Sequence, residues 1–173
     1  MPGYAGGMAT PDFVLALRAA IGHAPLWLIG TTAVLTRETE AGAELLLVRR
    51  SDTGAWTPVT GIIDPREEPA DAAARETLEE AGIVAIAERL AWVHTIPRVT
   101  YPNGDQADYL DFTFRMRFIS GEPHPADGEN TDARWFPLDA LPPISPDIRE
   151  RIDHALSDGI ATEFVATNGT PPV

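Results

Sequence analysis

The chain contains no cysteine and no lysine. Without cysteine there is no disulfide, no thiolate metal site and no thiol nucleophile. Without lysine, all 13 basic residues are arginine, the side chain that grips phosphate oxygens in bidentate fashion. Positive charge is scarce as well: 13 basic residues face 26 acidic ones, for a formal charge of −13. That balance argues against non-specific nucleic-acid binding and against anionic membrane surfaces. An acidic protein can still handle phosphates if bound metal ions supply the positive charge. Long apolar runs are also missing. The first apolar segment, near residues 12 to 21, carries Asp12 and Arg18 and is too short to span a bilayer, and no charged leader region precedes it. The expectation is therefore a cytoplasmic protein with a small-molecule partner, no nucleic acid and no membrane. At 173 residues it suggests one domain, large enough to bury roughly 70% of its unfolded surface.

What is present is concentrated between Gly61 and Ile83, in the run GIIDPREEPADAAARETLEEAGI. Residues 69 to 81 should be helical. Pro69 suits a first helical position, where its missing N–H costs nothing. Ala70, Ala72, Ala73 and Ala74 have the highest helix propensity, and Gly82 can adopt the left-handed conformation that ends a helix. Helical neighbours lie three and four residues apart, so Glu76, Glu79 and Glu80 form one acidic cluster. Ala70, Ala74, Thr77, Leu78 and Ala81 form a separate stripe fit for a core. Clustered carboxylates repel one another, and Arg75 offsets only part of that repulsion. A hard divalent cation with oxygen ligands would offset much more, and Mg²⁺ typically uses one or two carboxylates together with substrate phosphates and water.

Five residues separate Gly61 from Glu67 and seven separate Glu67 from Arg75, followed by Glu76, Glu79, Glu80 and Gly82. This spacing matches G-x5-E-x7-R-E-U-x-E-E-x-G-U, with U a bulky apolar residue, and on it the chain resembles the Nudix hydrolases. Thr77 departs from the pattern at one apolar position. The specific motif covers 23 residues; weaker likeness runs from about Trp27 to Leu156, through Val48-Arg49-Arg50, Trp56 and Arg134-Trp135-Phe136. The resemblance implies an α/β/α sandwich with a mixed β-sheet, and cleavage of a diphosphate in a nucleoside diphosphate joined to a group X. It implies Mg²⁺ or Mn²⁺ as cofactor, with Glu76, Glu79, Glu80 and Glu67 as metal ligands. Glu79 or Glu129 would be the general base, and Arg75 would orient the carboxylates. The cysteine-dependent isomerases of the superfamily are excluded by composition. A non-catalytic nucleotide sensor is the alternative, disfavoured because the box carboxylates are intact.

Around the box, residues 1 to 9 should be loose, a helix should follow over residues 12 to 21, and the tail from Ala166 should be disordered. The expected division is residues 1–22 for the N-terminal tail and helix, 23–159 for the Nudix-like domain and 160–173 for a C-terminal tail. Strands are expected over Leu26 to Thr36 and Ala43 to Arg50, joined by a hairpin, then over Trp56 to Gly61 and Ala87 to Ile96. Pro97 to Gln106 should be a loop. In the following strand Leu110, Phe112, Phe114, Met116 and Phe118 alternate with polar residues, which predicts one packed and one wet face. A final helix should begin at Ser145-Pro146-Asp147.

Several positions depart from the family's habits. Val59 and Thr60 replace a usual proline and glycine before the box, and Arg66 replaces a glycine before Glu67. Substrate preference therefore does not carry over. The candidates for substrate contact are Arg49, Arg50, Arg66, Arg98 and Tyr101. Nucleotide sugars such as ADP-ribose, dinucleoside polyphosphates and nucleoside triphosphates all remain open. Val14, Leu17 and Ile21 on the N-terminal helix lie outside the Nudix-like region, and their stripe leads to the expectation of a homodimer.

Overall fold

The structure is a computed structural model that describes residues 10–166; the expectations for residues 1 to 9 and for 167 to 173 of the C-terminal tail lie outside the described residues. The elements run α1 (Asp12–Ile21), β1 (Leu26–Thr39), β2 (Gly42–Arg50), β3 (Trp56–Thr57), β4 (Val59–Ile62), α2 (Pro69–Ala81), β5 (Val84–Thr100), β6 (Gln106–Ser120), β7 (Asn130–Pro137), α3 (Pro146–Leu156) and β8 (Glu163–Phe164). One mixed sheet holds the order β3-β2-β1-β6-β5-β8, with β4 added beside β1 and β7 beside β2. The hairpin joining β1 to β2 pairs Thr39 with Gly42, while β1 runs parallel to β6 over Leu26 to Thr36. Pro58, which has no N–H to donate, divides the strand expected over Trp56 to Gly61 into β3 and β4.

Helices cover both faces. On one, α2 packs against Ala33, Leu35, Val59, Ala85, Phe114 and Met116. On the other, α3 lays Ile152 and Ala155 on Val34, Leu45, Leu47 and Ala91, and α1 seats Val14 on Leu26, Leu28 and Tyr109. The result is the expected α/β/α sandwich with a mixed sheet. The apolar stripe of α1 is only partly used: Val14 is buried, but Leu17 and Ile21 stay exposed. Arg18 holds the helix in place by donating to Gln106 O at 2.7 Å.

Three expectations need correction. Residues 97 to 100 continue β5, so the loop before β6 shrinks to 101–105. The supposed wet face of β6 is dry where α1 and α3 cover it: Asp111 and Thr113 are 1% and 0% exposed. They are tolerated there because Asp111 accepts from Thr32 and Thr113. On α2, Thr77 and Ala81 are buried and Ala70 and Ala74 pack against the core as expected, but Leu78 is exposed, and Ala72 and Ala73 are buried beside them. Thr77 fits in this core because its hydroxyl donates to the Ala73 carbonyl at 2.6 Å, leaving no polar atom unpaired.

Candidate functional site

The acidic residues of α2 are sorted by depth. Glu79 stands in solvent, its side chain 53% exposed, and Glu76 is mostly covered. Glu80 is buried at 4% exposure. Glu76 lies directly over Gly61 of β4; a Cβ built at Gly61 would be 2.1 Å from the Glu76 carboxyl carbon. The glycine is required there by close approach and not by its backbone angle. Gly82 serves differently, ending α2 in the left-handed conformation at φ 68 with its N–H on Leu78 O.

Arg75 is the hub of the group. It donates to Glu67 at 2.7 and 2.9 Å, to Glu76 at 2.9 Å and to Glu79 at 2.9 Å. A carboxylate from the loop and two from the helix are thereby held together by one guanidinium. Its pKa is raised, chiefly by the bond to Glu67 and further by Glu76 and Glu79. Glu67 is lowered in turn, chiefly by Arg75.

The deeper carboxyls behave in the opposite way. Burial pushes Glu76 up to about 7 against the pull of Arg75, with Glu79 and Glu129 adding to the rise. Burial pushes Glu80 up to about 8; Asn130 opposes this, donating at 2.9 Å, while Glu76, Glu129 and Asp127 reinforce it. Glu129 thus lies within electrostatic reach of Glu76 and Glu80. Its loop is latched to the end of α2, with His124 N–H on Ala81 O and Ala126 N–H on Glu80 O. The Ser51 N–H donates to Glu129 O, which ties the same loop to the turn after β2.

Among the described residues, no three His, Cys, Asp or Glu side chains are gathered closely enough to hold a metal ion in this arrangement; three carboxylates converge on Arg75 instead. The donor chemistry nevertheless fits a hard divalent cation. Every donor is oxygen; Glu80 is buried with only a neutral amide on it, and the largely covered Glu76 shares the single Arg75 charge with Glu67 and Glu79.

The substrate candidates separate in space. Arg50 is half-buried and lies within electrostatic reach of Glu80 and Tyr101, its pKa raised chiefly by Asp52, which it grips in bidentate fashion at 2.9 and 2.8 Å. Tyr101 shares a hydroxyl–hydroxyl hydrogen bond with Tyr109 at the edge of the cluster that contains Ile62. Arg49 turns away to the Gly54 carbonyl at 3.1 Å. Arg98 is an exposed residue paired with Asp108 at 2.7 Å. Arg66 sits in the loop before Glu67 with φ 75. Asn130, which orients Glu80, went unnoticed in the sequence because it lies 50 positions away and belongs to no motif.

Comparison with known proteins agrees with this architecture. The NUDIX domain family model matches residues 27–156. The NAD-capped RNA hydrolase NudC of Chromobacterium violaceum is 32% identical over 123 residues, covering 69% of this chain and 43% of that protein. The NudC of Pseudomonas aeruginosa (strain LESB58) is 31% identical over 105 residues, covering 60% and 35%. The chain thus spans about two fifths of the length of these curated relatives. An ADP-ribose pyrophosphatase structure from Streptococcus suis superposes with a TM-score of 0.59 at 24% identity, over 80% of this chain and 98% of that one. A NUDIX hydrolase from Nitrosomonas europaea gives 0.59 at 21% identity, over 79% and 76%. At these identities the two structures bear on the fold alone.

Proposed function

The chain belongs to the Nudix hydrolase family, and from that premise we propose that it hydrolyses a diphosphate linkage in a nucleoside diphosphate joined to a group X, using Mg²⁺ or Mn²⁺. The observation that carries this reading is the buried carboxyl of Glu80 and the largely covered one of Glu76, on the same helix as the Arg75-bound Glu79. Covering them costs free energy that Arg75 on Glu76 and Asn130 on Glu80 offset only in part. A site that accepts divalent cations gives that cost a purpose.

Glu76, Glu79, Glu80 and Glu67 would hold the cation. When bound, it neutralises charge on the phosphates and acidifies a water. Arg75 keeps Glu67, Glu76 and Glu79 in register, and Asn130 keeps Oε2 of Glu80 fixed. Glu79 has one oxygen, Oε2, on Arg75, so Oε1 is free to take the proton of an attacking water as general base. Glu129 is the second candidate for that proton, since it lies within electrostatic reach of Glu76 and Glu80. Arg50 lies near Glu80 and Tyr101 and is suited to a phosphate oxygen; Arg49 and Arg98, tied elsewhere, are weaker candidates.

For substrate, the named activity of the NudC relatives points to NAD-like dinucleotides; ADP-ribose and dinucleoside polyphosphates, which share the diphosphate flanked by a nucleoside, stay open beside them. The charge of −13 disfavours wide contact with an RNA body, so a dinucleotide or a chain end is the favoured form. We also keep the homodimer as a proposal: Leu17 and Ile21 are exposed on α1, and light scattering should return twice 18.7 kDa.

The test is release of phosphate from a panel of NAD, ADP-ribose, diadenosine polyphosphates, nucleoside triphosphates and a capped RNA, with Mg²⁺, with and without added phosphatase. Turnover of one class identifies the substrate. Tight binding without turnover of any member would instead favour the sensor.

A further inference from the structure

Arg66 is the only non-glycine residue with a positive φ among the described residues, at 75. Left-handed backbone is unfavourable for a residue with a Cβ, and glycine adopts it freely. The neighbouring electrostatics add a second anomaly. Arg66 is flanked by Asp64, Glu67 and Glu68, yet it is exposed and has no side-chain hydrogen bond or ion pair among the described residues. Every other described arginine except Arg149, far away on the exposed side of α3, has such a partner. The reason lies next door: Glu67 is taken by Arg75 from one side and by the Asp64 N–H from the other. Backbone strain is kept at functional sites when the side chain it presents is needed. Here the strained residue adjoins Glu67 directly.

We propose that Arg66 is a specificity-determining residue that binds a phosphate beyond the scissile diphosphate, so that this site favours a substrate with an additional phosphate over its parent dinucleotide, NADP over NAD or a tri- or tetraphosphate bridge over a diphosphate. This rests on the hydrolase reading above and deepens it. An exposed guanidinium that no described side chain engages, in an otherwise acidic loop beside Glu67, is available for a bidentate grip on a phosphate brought by the substrate. Two sources share that chemistry: a longer polyphosphate bridge, or a phosphate attached to the X group.

Arg66→Gly separates this role from a structural one. It removes the guanidinium and relaxes the backbone. The melting temperature should hold or rise by about 2–4 °C. The ratio kcat/KM should fall on the order of tenfold or more for substrates with the extra phosphate, mostly through KM, and little for ADP-ribose. Arg66→Lys should retain part of the preference. Diadenosine di-, tri- and tetraphosphate form one arm, and NAD against NADP the other; the arm that shows the loss names the source. Equal loss on all substrates, no loss on any, or a lowered melting temperature in Arg66→Gly would overturn the inference while leaving the hydrolase reading intact. Failure of the wild type in both arms, with turnover of another member of the panel above, would overturn the inference alone; failure across the whole panel would take both down.

Discussion

Gly61 and Glu76 cannot both keep their places if the glycine gains a side chain, because a Cβ at 61 would fall 2.1 Å from the Glu76 carboxyl carbon and 2.2 Å from its Oε1. The carboxylate would have to leave its position beside Arg75. Gly61→Ala is therefore expected to cost about 1–3 kcal/mol of stability through overpacking and on the order of 10²-fold in turnover through misplacement. Steady-state kinetics and urea unfolding measure the two effects. Adding Glu76→Ala should recover much of the stability of Gly61→Ala, a non-additive pair of the kind expected for groups in contact, while turnover stays lost. A Gly61→Ala enzyme with ordinary kinetics would remove the steric account.

Glu80 makes the metal-free protein sensitive to alkali. Its carboxyl is pushed up to about 8 in the fold from an ordinary 4.5. The folded state therefore holds this proton more tightly than the unfolded state, and stability falls as pH rises from 4.5 to 8. Glu76, raised to about 7, acts in the same direction. Glu80→Gln imitates the protonated form. In chelator it should match the wild type near pH 4.5 and exceed it by on the order of 2–4 kcal/mol at pH 8, with its turnover lost. Glu79 is exposed, so Glu79→Gln should leave stability almost unchanged and lower turnover by about 10²–10⁴-fold if it is the base. Paired denaturant titrations and rate measurements at two pH values distinguish these outcomes.

Divalent cations should reverse the same trend. Binding to the native state alone stabilises by about 2.7 kcal/mol at a hundredfold excess over the dissociation constant, and for a chain of this size 1 kcal/mol is worth about 2–4 °C. Mg²⁺ or Mn²⁺ at millimolar concentration is thus expected to raise the melting temperature. The rise should be larger at pH 8 than at pH 6, since the cation competes with protons on Glu76 and Glu80. A thermal scan that does not move with either ion, alone or with a nucleotide, would count against the site.

The acidic helix was legible in the sequence because its signals are local: Pro69 at the start, alanines within, Gly82 at the end, and carboxylates at fixed spacing. Its orientation was not. Leu78 looks like a core residue by size, yet the alanines at 72 and 73 are the ones buried, because small side chains let the helix approach the sheet closely. The polar side of β6 misled for a related reason. Alternation marks which residues share a face, but not whether that face is covered. Asp111 is paired with Thr32, 79 residues away, and Arg151 reaches the same threonine across 119 residues. Such pairs leave no local pattern. Asn130 escaped notice on the same grounds, and so did the latch of residues 124 and 126 onto the end of α2.

That covered polar layer gives the protein an acid limit. The His94 side chain is 9% exposed, 3.8 Å from Asp111, and its ring stacks on Trp92 with centroids 3.6 Å apart. Burial pushes its pKa down to about 4 against the pull of Asp111, and Arg151 and His154 push the same way, with Asp147 opposing them. A histidine depressed in the fold is neutral there while the unfolded chain takes up a proton. Its contribution is full above the ordinary 6.5 and is lost as pH falls from 6.5 towards 4, worth up to about 3 kcal/mol. This runs opposite to Glu80 across pH 4.5 to 6.5, so the wild type alone would show a blunted profile. His94→Phe isolates the term, because it keeps a ring against Trp92 and cannot titrate. The difference in unfolding free energy between wild type and His94→Phe should be flat above pH 7 and shift in favour of the variant as pH drops to 4. A difference that stays constant over that range would mean that His94 takes up its proton in the fold as readily as in the unfolded chain.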